Sequence, residues 1–173
     1  MKLLKIYFEK VLVFKLNKFY DKRGNFYESY NKKKLKNYFK ENFSHDAISV
    51  NKKNVFRGLH YQTKFKQGKL INVIEGKILD IIVDLRKKSP TYLKFKKIIL
   101  SESNSKMIYV PKGYAHGFLV LSKKAIISYK ISKEYKKKYE KTLSLNDSKL
   151  KLDLPKHYQK KIIISKKDSE KKS

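Results

Sequence analysis

Apolar residues in this chain come in short bursts divided by turn-forming residues, the rhythm of a β protein rather than of packed helices. Strands are predicted at 10–16, 25–30, 55–61, 70–74, 78–85, 95–100, 107–110, 117–121 and 125–131. Turn material separates them: Asp21-Lys22-Arg23-Gly24, Glu75-Gly76-Lys77, Lys87-Lys88-Ser89-Pro90 and Lys112-Gly113. The run 78–85 is apolar at nearly every position, so both faces of that strand need cover. A sandwich or barrel supplies it. One segment, 32–43, reads as a short helix with Leu35, Tyr38 and Phe39 on one side. Farther on, 146–154 reads as packing on the barrel, and 156–173 as a charged, frayed tail apart from 162–164. There is no internal repeat and no linker rich in Gly, Pro or Ser, so 1–173 reads as a single domain.

Composition changes this picture little. The 173 residues are 40% hydrophobic and 13% aromatic, enough for a real core and too apolar for general disorder. No Cys is present, which removes disulfides and thiolate chemistry. Lys2, Lys5, Glu9 and Lys10 interrupt the first apolar positions, against a secretory leader, and no apolar run is long enough to span a bilayer. The expectation is a soluble cytoplasmic protein without membrane contact. The formal charge of +29 points at first to nucleic acid. Against that, only Arg23, Arg57 and Arg86 are arginines; the remaining basic residues are lysines scattered along the chain. A nucleic-acid binder gains from the planar fork of Arg. The scattered lysines read as a solvated surface, so no nucleic-acid partner is expected, although the charge attracts an anionic substrate.

Scarcity makes other residues informative. Only six Gly occur, and several stand beside unusual neighbours: Arg23-Gly24, Arg57-Gly58, Gly68-Lys69 and Gly113 to His116-Gly117. Arg57 and His60 lie three apart on a strand, so they point to opposite faces or flank a twist. His60 reads equally well as a barrel-wall residue held by a carboxylate and as a general base tuned by one. Taken singly, Lys69 reads as surface and Tyr129 as core, while His116 suits packing or ligand contact. Metal ligation by a His-x-His pair is not supported. The strand reads His60-Tyr61-Gln62, and His45, His116 and His157 are the only other histidines, so no metal is expected.

Four stretches together carry a resemblance: Phe19-Tyr20-Asp21-Lys22-Arg23-Gly24-Asn25-Phe26-Tyr27-Glu28, Arg57-Gly58-Leu59-His60-Tyr61-Gln62, Gln67-Gly68-Lys69-Leu70, and Pro111-Lys112-Gly113-Tyr114-Ala115-His116-Gly117-Phe118. In order and spacing they resemble the dTDP-4-dehydrorhamnose 3,5-epimerase family, from about Val11 to Asp168. The resemblance implies an all-β fold, a cupin-type jelly-roll barrel with one or two short helices, acting as a homodimer without metal or cofactor. It implies a nucleotide-sugar substrate, dTDP-4-dehydro-6-deoxy-D-glucose, inverted at C3 and C5. In that scheme His60 is the base, Asp168 its orienting partner, Tyr129 the acid on the opposite face, and Lys69 the cation beside the C4 oxygen. Arg23, Glu28, Arg57 and His116 resemble substrate contacts, with Arg23 and Glu28 reaching across a dimer interface. Tyr135 would stack on the base ring, with Glu140 and Lys167 nearby. The chain departs from the pattern at His45-Asp46-Ala47, where the family has Gln-Asp-Asn, and at Leu154, where it has Trp.

The first departure leaves room for an epimerase acting at one centre or on a related 4-keto sugar. A nucleic-acid binder and a cupin with only a structural role are the readings from other classes. A ketoisomerase relative is disfavoured by the missing His-x-His.

Overall fold

The computed structural model describes residues 1–145, 147, 149–150, 152–155, 158 and 161–169. His157, the remaining ends of the 156–173 tail and parts of 146–154 therefore lie outside the described residues. Two sheets face each other as a flattened barrel. The first runs β1 (Lys2–Tyr7), β2 (Val11–Lys15), β10 (Lys106–Val110), β7 (Lys69–Glu75), β12 (Lys124–Ile131), β5 (His45–Lys52). The second runs β13 (Glu140–Thr142), β6 (Val55–Gln62), β11 (Tyr114–Val120), β8 (Lys77–Asp84), β9 (Phe95–Ser101). Neighbours along both are antiparallel, while β14 (Ile163–Ile164) adds to β6 in parallel. A separate hairpin joins β3 (Phe19–Asp21) and β4 (Gly24–Phe26).

Alternation along the strands divides the apolar residues among three layers. Val11, Val13, Ile71 and Val73 of the first sheet meet Ile78, Ile82, Phe118 and Val120 of the second in the barrel interior. On the far side of the second sheet, Leu59, Leu79, Ile81 and Val83 are covered by Leu150 and Leu154, as expected for 146–154. This is why 78–85 is apolar on both faces: β8 is a central strand with a core on either side. Outside the first sheet, Phe14, Leu70, Met107 and Tyr109 are covered by Leu35 and Phe39.

Three expectations need correction. The predicted helix at 32–43 shrinks to α1 (Lys32–Leu35), capped by the Asn31 side chain accepting from the Lys34 N–H. Lysines at 32, 36 and 40 stack like charges one turn apart, and so short a helix gains little from its own hydrogen bonds. Four strands were not foreseen: the three-residue β3 and β13, and the edge strands β1 and β5. In the two edge strands charged and solvent-facing residues blur the alternation. The tail is ordered from Lys161 to Ser169: after β14 comes α2 (Lys166–Ser169), whose Asp168 is buried.

The registers bring strand ends to one mouth of the barrel. Lys69 pairs with Val110 on one side and Ile131 on the other, Ile131 with His45, and Tyr114 with Asp84. His116 pairs with His60 across the second sheet. Every polar residue set apart by the sequence from Arg57 to Tyr135 stands at or just inside this mouth.

Candidate active site

Close backbone packing explains how Arg57 and His60 reach the same space. The pairing of β6 with β11 shifts register between His116 and Phe118, opposite Arg57 to His60. Gly58 sits there with φ +125°, and a Cβ on it would stand 2.6 Å from the Gly117 Cα. Only glycine fits both the conformation and the approach. The irregularity turns both Arg57 and His60 into one cavity, so the twist, not opposite faces, is the correct reading of their spacing.

Two adjoining cavities open at the mouth and share His60, Gln67, Lys69 and His116. The first, about 250 Å³, adds Arg57, Tyr129 and Tyr135. The second, about 200 Å³, adds Gln62, Leu85, Val110 and Tyr114. His60 and His116 stand side by side on the second sheet, and Tyr129 faces them from the first. The His116 and Tyr129 rings meet edge to face at 6.5 Å.

His60 Nε2 lies 2.7 Å from Asp168 Oδ1, and Asp168 Oδ2 accepts the Gly58 N–H at 3.2 Å. Burial alone would push the Asp168 carboxyl up, but the bond and charge of His60, with the Gly58 N–H, hold it below the usual carboxylate range. An ionised carboxylate only accepts, so His60 donates through Nε2 and leaves the Nδ1 lone pair free. Burial pushes the Lys69 ammonium down to about 8, even with the Glu140 and Asp80 carboxylates acting in the other direction. Burial and the nearby Asp80 charge push the Tyr129 phenol well above its ordinary value, against a smaller opposite effect of Arg57. Tyr129 is therefore a proton carrier at neutral pH.

The other anticipated residues fall into two groups. Arg57 donates through Nε to Asn51 Oδ1 at 2.7 Å, which aims its guanidinium into the cavity. The Tyr135 hydroxyl donates to Glu140 at 2.6 Å, and Lys167 is ion-paired with the same carboxylate. These three tie the α2 turn to β13 at the cavity rim. Arg23 and Glu28 are not brought to it. Arg23 pairs with Asp21 at 2.6 Å within its own exposed hairpin, and Glu28 accepts from Asn31 at 2.9 Å and pairs with Lys34. Neither lines either cavity of its own chain.

Sequence reasoning missed Asp80. It is fully buried on β8, bonded by Oδ2 to His116 Nε2 at 2.7 Å, while its Oδ1 has no partner among the described residues. Its signal was available: an acid inside an apolar central strand is costly unless paired. Glu41 was missed too. Its carboxylate accepts from the Tyr109 hydroxyl at 3.0 Å and lies so close to Gly68 that a Cβ there would come within 2.5 Å of it. The bare Cα of Gly68 thus leaves room for the Glu41 carboxylate. Among the described residues, no group of three His, Asp or Glu is arranged to hold a metal ion.

Comparison with known proteins agrees with this geometry. The sequence model described as dTDP-4-dehydrorhamnose 3,5-epimerase matches residues 5–173. The dTDP-4-dehydrorhamnose 3,5-epimerase of Methanothermobacter thermautotrophicus is 39% identical over 153 residues, 86% of this chain and 80% of that protein. That of Pseudomonas aeruginosa is 36% identical over 175 residues, 100% of this chain and 96% of the relative. Among solved structures, the dTDP-6-deoxy-D-glucose-3,5-epimerase of Legionella pneumophila in complex with dTDP-4-keto-L-rhamnose superposes with a TM-score of 0.92 at 34% identity, covering 96% of this chain and 89% of that one. The barrel, its furnished mouth and these full-length matches have one explanation: the chain belongs to the dTDP-4-dehydrorhamnose 3,5-epimerase family.

Proposed function

We propose that the mouth of the barrel binds dTDP-4-dehydro-6-deoxy-D-glucose and inverts C3 and C5 with His60 as base and Tyr129 as acid. The C3 and C5 protons lie α to the C4 ketone. His60 Nδ1 takes one of them, and its bonding electrons pass into an enolate whose charge rests on the C4 oxygen. Lys69 stabilises that oxygen, in a site where partial exclusion of water strengthens the interaction. Tyr129 then delivers its hydroxyl proton to the opposite face of the same carbon and the ketone re-forms. Exchange with water reprotonates the phenol and clears the imidazole before the second centre reacts. Asp168 orients His60 and stabilises the imidazolium.

Arg57 and His116 act as substrate contacts, Arg57 through bonds to phosphate oxygens. Tyr135 stacks on the base ring, with Glu140 and Lys167 beside it. The chain works as one domain and as a cytoplasmic homodimer in which Arg23 and Glu28 serve the site of the second copy. Their distance from their own cavity supports this, as do the exposed Phe19, Tyr20 and Phe26 on the same hairpin and Ile48 and Val50 on the outer face of β5. Among the described residues no helix is long and apolar enough to cross a membrane.

The observation that carries the reading is the carboxylate-held imidazole on one sheet facing a proton-bearing phenol on the other, with Lys69 in the same cavity. Incubation with the 4-dehydro sugar in deuterated water, read by NMR, tests it. The unaltered enzyme incorporates deuterium at C3 and C5 with inversion; His60→Ala incorporates none. Tyr129→Phe still exchanges a proton through His60 but returns it to the same face, so exchange continues without inversion. Unchanged turnover in both variants rejects the assignment, and label at one position only assigns a single-centre epimerase, the reading that Ala47 and His45 at the rim of the cavity favour.

A further inference from the structure

The proposed reaction leaves one buried acid without a task. Asp80 stands on the interior face of β8, between Ile78 and Ile82 of the barrel core, and none of its surface is exposed. Its register partner Phe118 and its bonded partner His116 both line the larger cavity, together with Lys69 and Tyr129. Asp80 therefore lies behind the wall of the site. A carboxylate there is costly: burial strips its water, and only Oδ2 has a donor, while Oδ1 has none among the described residues. Asp84, farther along the same strand, is the contrast. Arg86, Ser89 and Thr91 all donate to it, and it serves the fold. An apolar residue at position 80 would continue the pattern of Ile78 and Ile82, so the fold gives no reason for an acid there.

Its neighbours give the reason. An ionised carboxylate only accepts, so His116 donates through Nε2, and the neutral ring offers Nδ1 as a lone pair. His116 then meets the substrate as an acceptor and cannot bond the enolate oxygen, which is left to Lys69. In the larger cavity Lys69 meets His45 on β5, Arg57 and His60 on β6, His116 on β11, Tyr129 on β12 and Tyr135 beyond it. In the smaller it meets Tyr61, Lys66 and Tyr114. None of these is an anion at neutral pH. Two acids act on Lys69, Glu140 and Asp80. Glu140 is already shared by Lys167 and Tyr135 at the rim. Asp80 is fully buried, so its charge is little screened.

We infer that Asp80 is a positioning residue of the reaction: it fixes His116 as an acceptor and supplies the buried negative charge that faces Lys69, the cation that holds the enolate. This rests on the assignment of Lys69 to the C4 oxygen. Burial and the same charge disfavour a phenolate at Tyr129, so the phenol refills after each transfer.

The test is the pH dependence of kcat/KM for epimerisation. Without the anion the Lys69 ammonium gives up its proton more readily. Asp80→Asn keeps the size and an acceptor for His116 but removes the charge, so the alkaline limb should move down from about pH 8 by about one pH unit. Asp80→Leu, which continues the apolar face of Ile78 and Ile82, should move it the same way and covers the case in which the buried amide does not fold. Asp80→Glu keeps the charge and should hold the limb near its original place, whatever its plateau. Combined with Lys69→Arg, which has no limb in this range, Asp80→Asn should create none. A purely structural role lowers the plateau and leaves the limb where it was. That result in Asp80→Asn or Asp80→Leu overturns the inference, as does a limb displaced as far in Asp80→Glu as in Asp80→Asn. A limb that persists in Lys69→Arg alone strikes instead at the assignment of Lys69.

Discussion

At the scale of the residue, the site works by placing groups where their ordinary acid–base behaviour changes. Lys69 is the sharpest case. Its ammonium is useful only while charged, and burial has brought its pKa down to about 8. The sign follows directly: below that value the cation is present and can hold the enolate oxygen, and above it the cation is lost. The kcat/KM profile, which reports the free enzyme, should therefore fall on its alkaline side from about pH 8. Lys69→Arg should carry that limb to higher pH at a lower plateau, since the guanidinium does not deprotonate in this range. Lys69→Met should remove the limb and cost on the order of 10²–10³ in kcat, the usual worth of an oxyanion partner. A limb that stays in place in Lys69→Arg would assign it to another group. Among more than forty basic residues, nothing in local composition separates Lys69 from the rest; only Gly68, kept because Glu41 packs on it, marks the position.

At the scale of the element, the α2 turn completes the site. Asp168 bonds His60 and the Gly58 N–H, and Lys167 pairs with Glu140 next door. The Asp168 carboxyl is held below its ordinary range, so its stabilisation is full above its unfolded value of about 3.9 and is lost as pH falls through the lower folded value. The difference in unfolding free energy between the unaltered protein and Asp168→Asn, followed by denaturant titration, should be constant at neutral pH and close in strong acid. Activity should respond separately. Asp168→Asn leaves the imidazole with the wrong tautomer, a loss of roughly 10²–10⁴ in kcat with little change in KM. How far such elements were legible depended on burial. β8 and β10 stood out because a central strand is apolar on both faces. β1 and β5 did not, because Lys2, Lys5, Asp46 and Lys52 interrupt their short apolar runs and Ile48 and Val50 face outward at the sheet edge. The 32–43 segment had the spacing of a helix, but its aromatic residues are used to cover Phe14 and Tyr109 from an irregular chain. In the site, the Arg57–His60 spacing was ambiguous until the Gly58–Gly117 approach fixed it, and Asp80 was passed over because it interrupts a strand read as apolar at nearly every position, with its partner His116 far off in sequence.

At the scale of the whole molecule, the charge of +29 is spread over the surface; it can draw a dianionic sugar nucleotide toward the mouth but does not position it. Position demands fixed arginine, and the two candidates stand apart: Arg57 enters the cavity while Arg23 remains on an outlying hairpin, bonded to Asp21. In a twofold dimer each hairpin can serve the other copy's mouth, and each mouth receives one hairpin. That arrangement has an arithmetic consequence. A chain carrying Arg23→Ala still has His60, and a chain carrying His60→Ala still has Arg23. Each variant alone builds only defective sites. Unfolded together and refolded in equal amounts, half of the dimers are mixed, and in each mixed dimer one of the two sites has both groups intact. About a quarter of the original activity should therefore return, with light scattering confirming a mass of two chains. If Arg23 serves its own cavity, no site in the mixture is whole and activity stays at the level of the separate variants, whatever the mass.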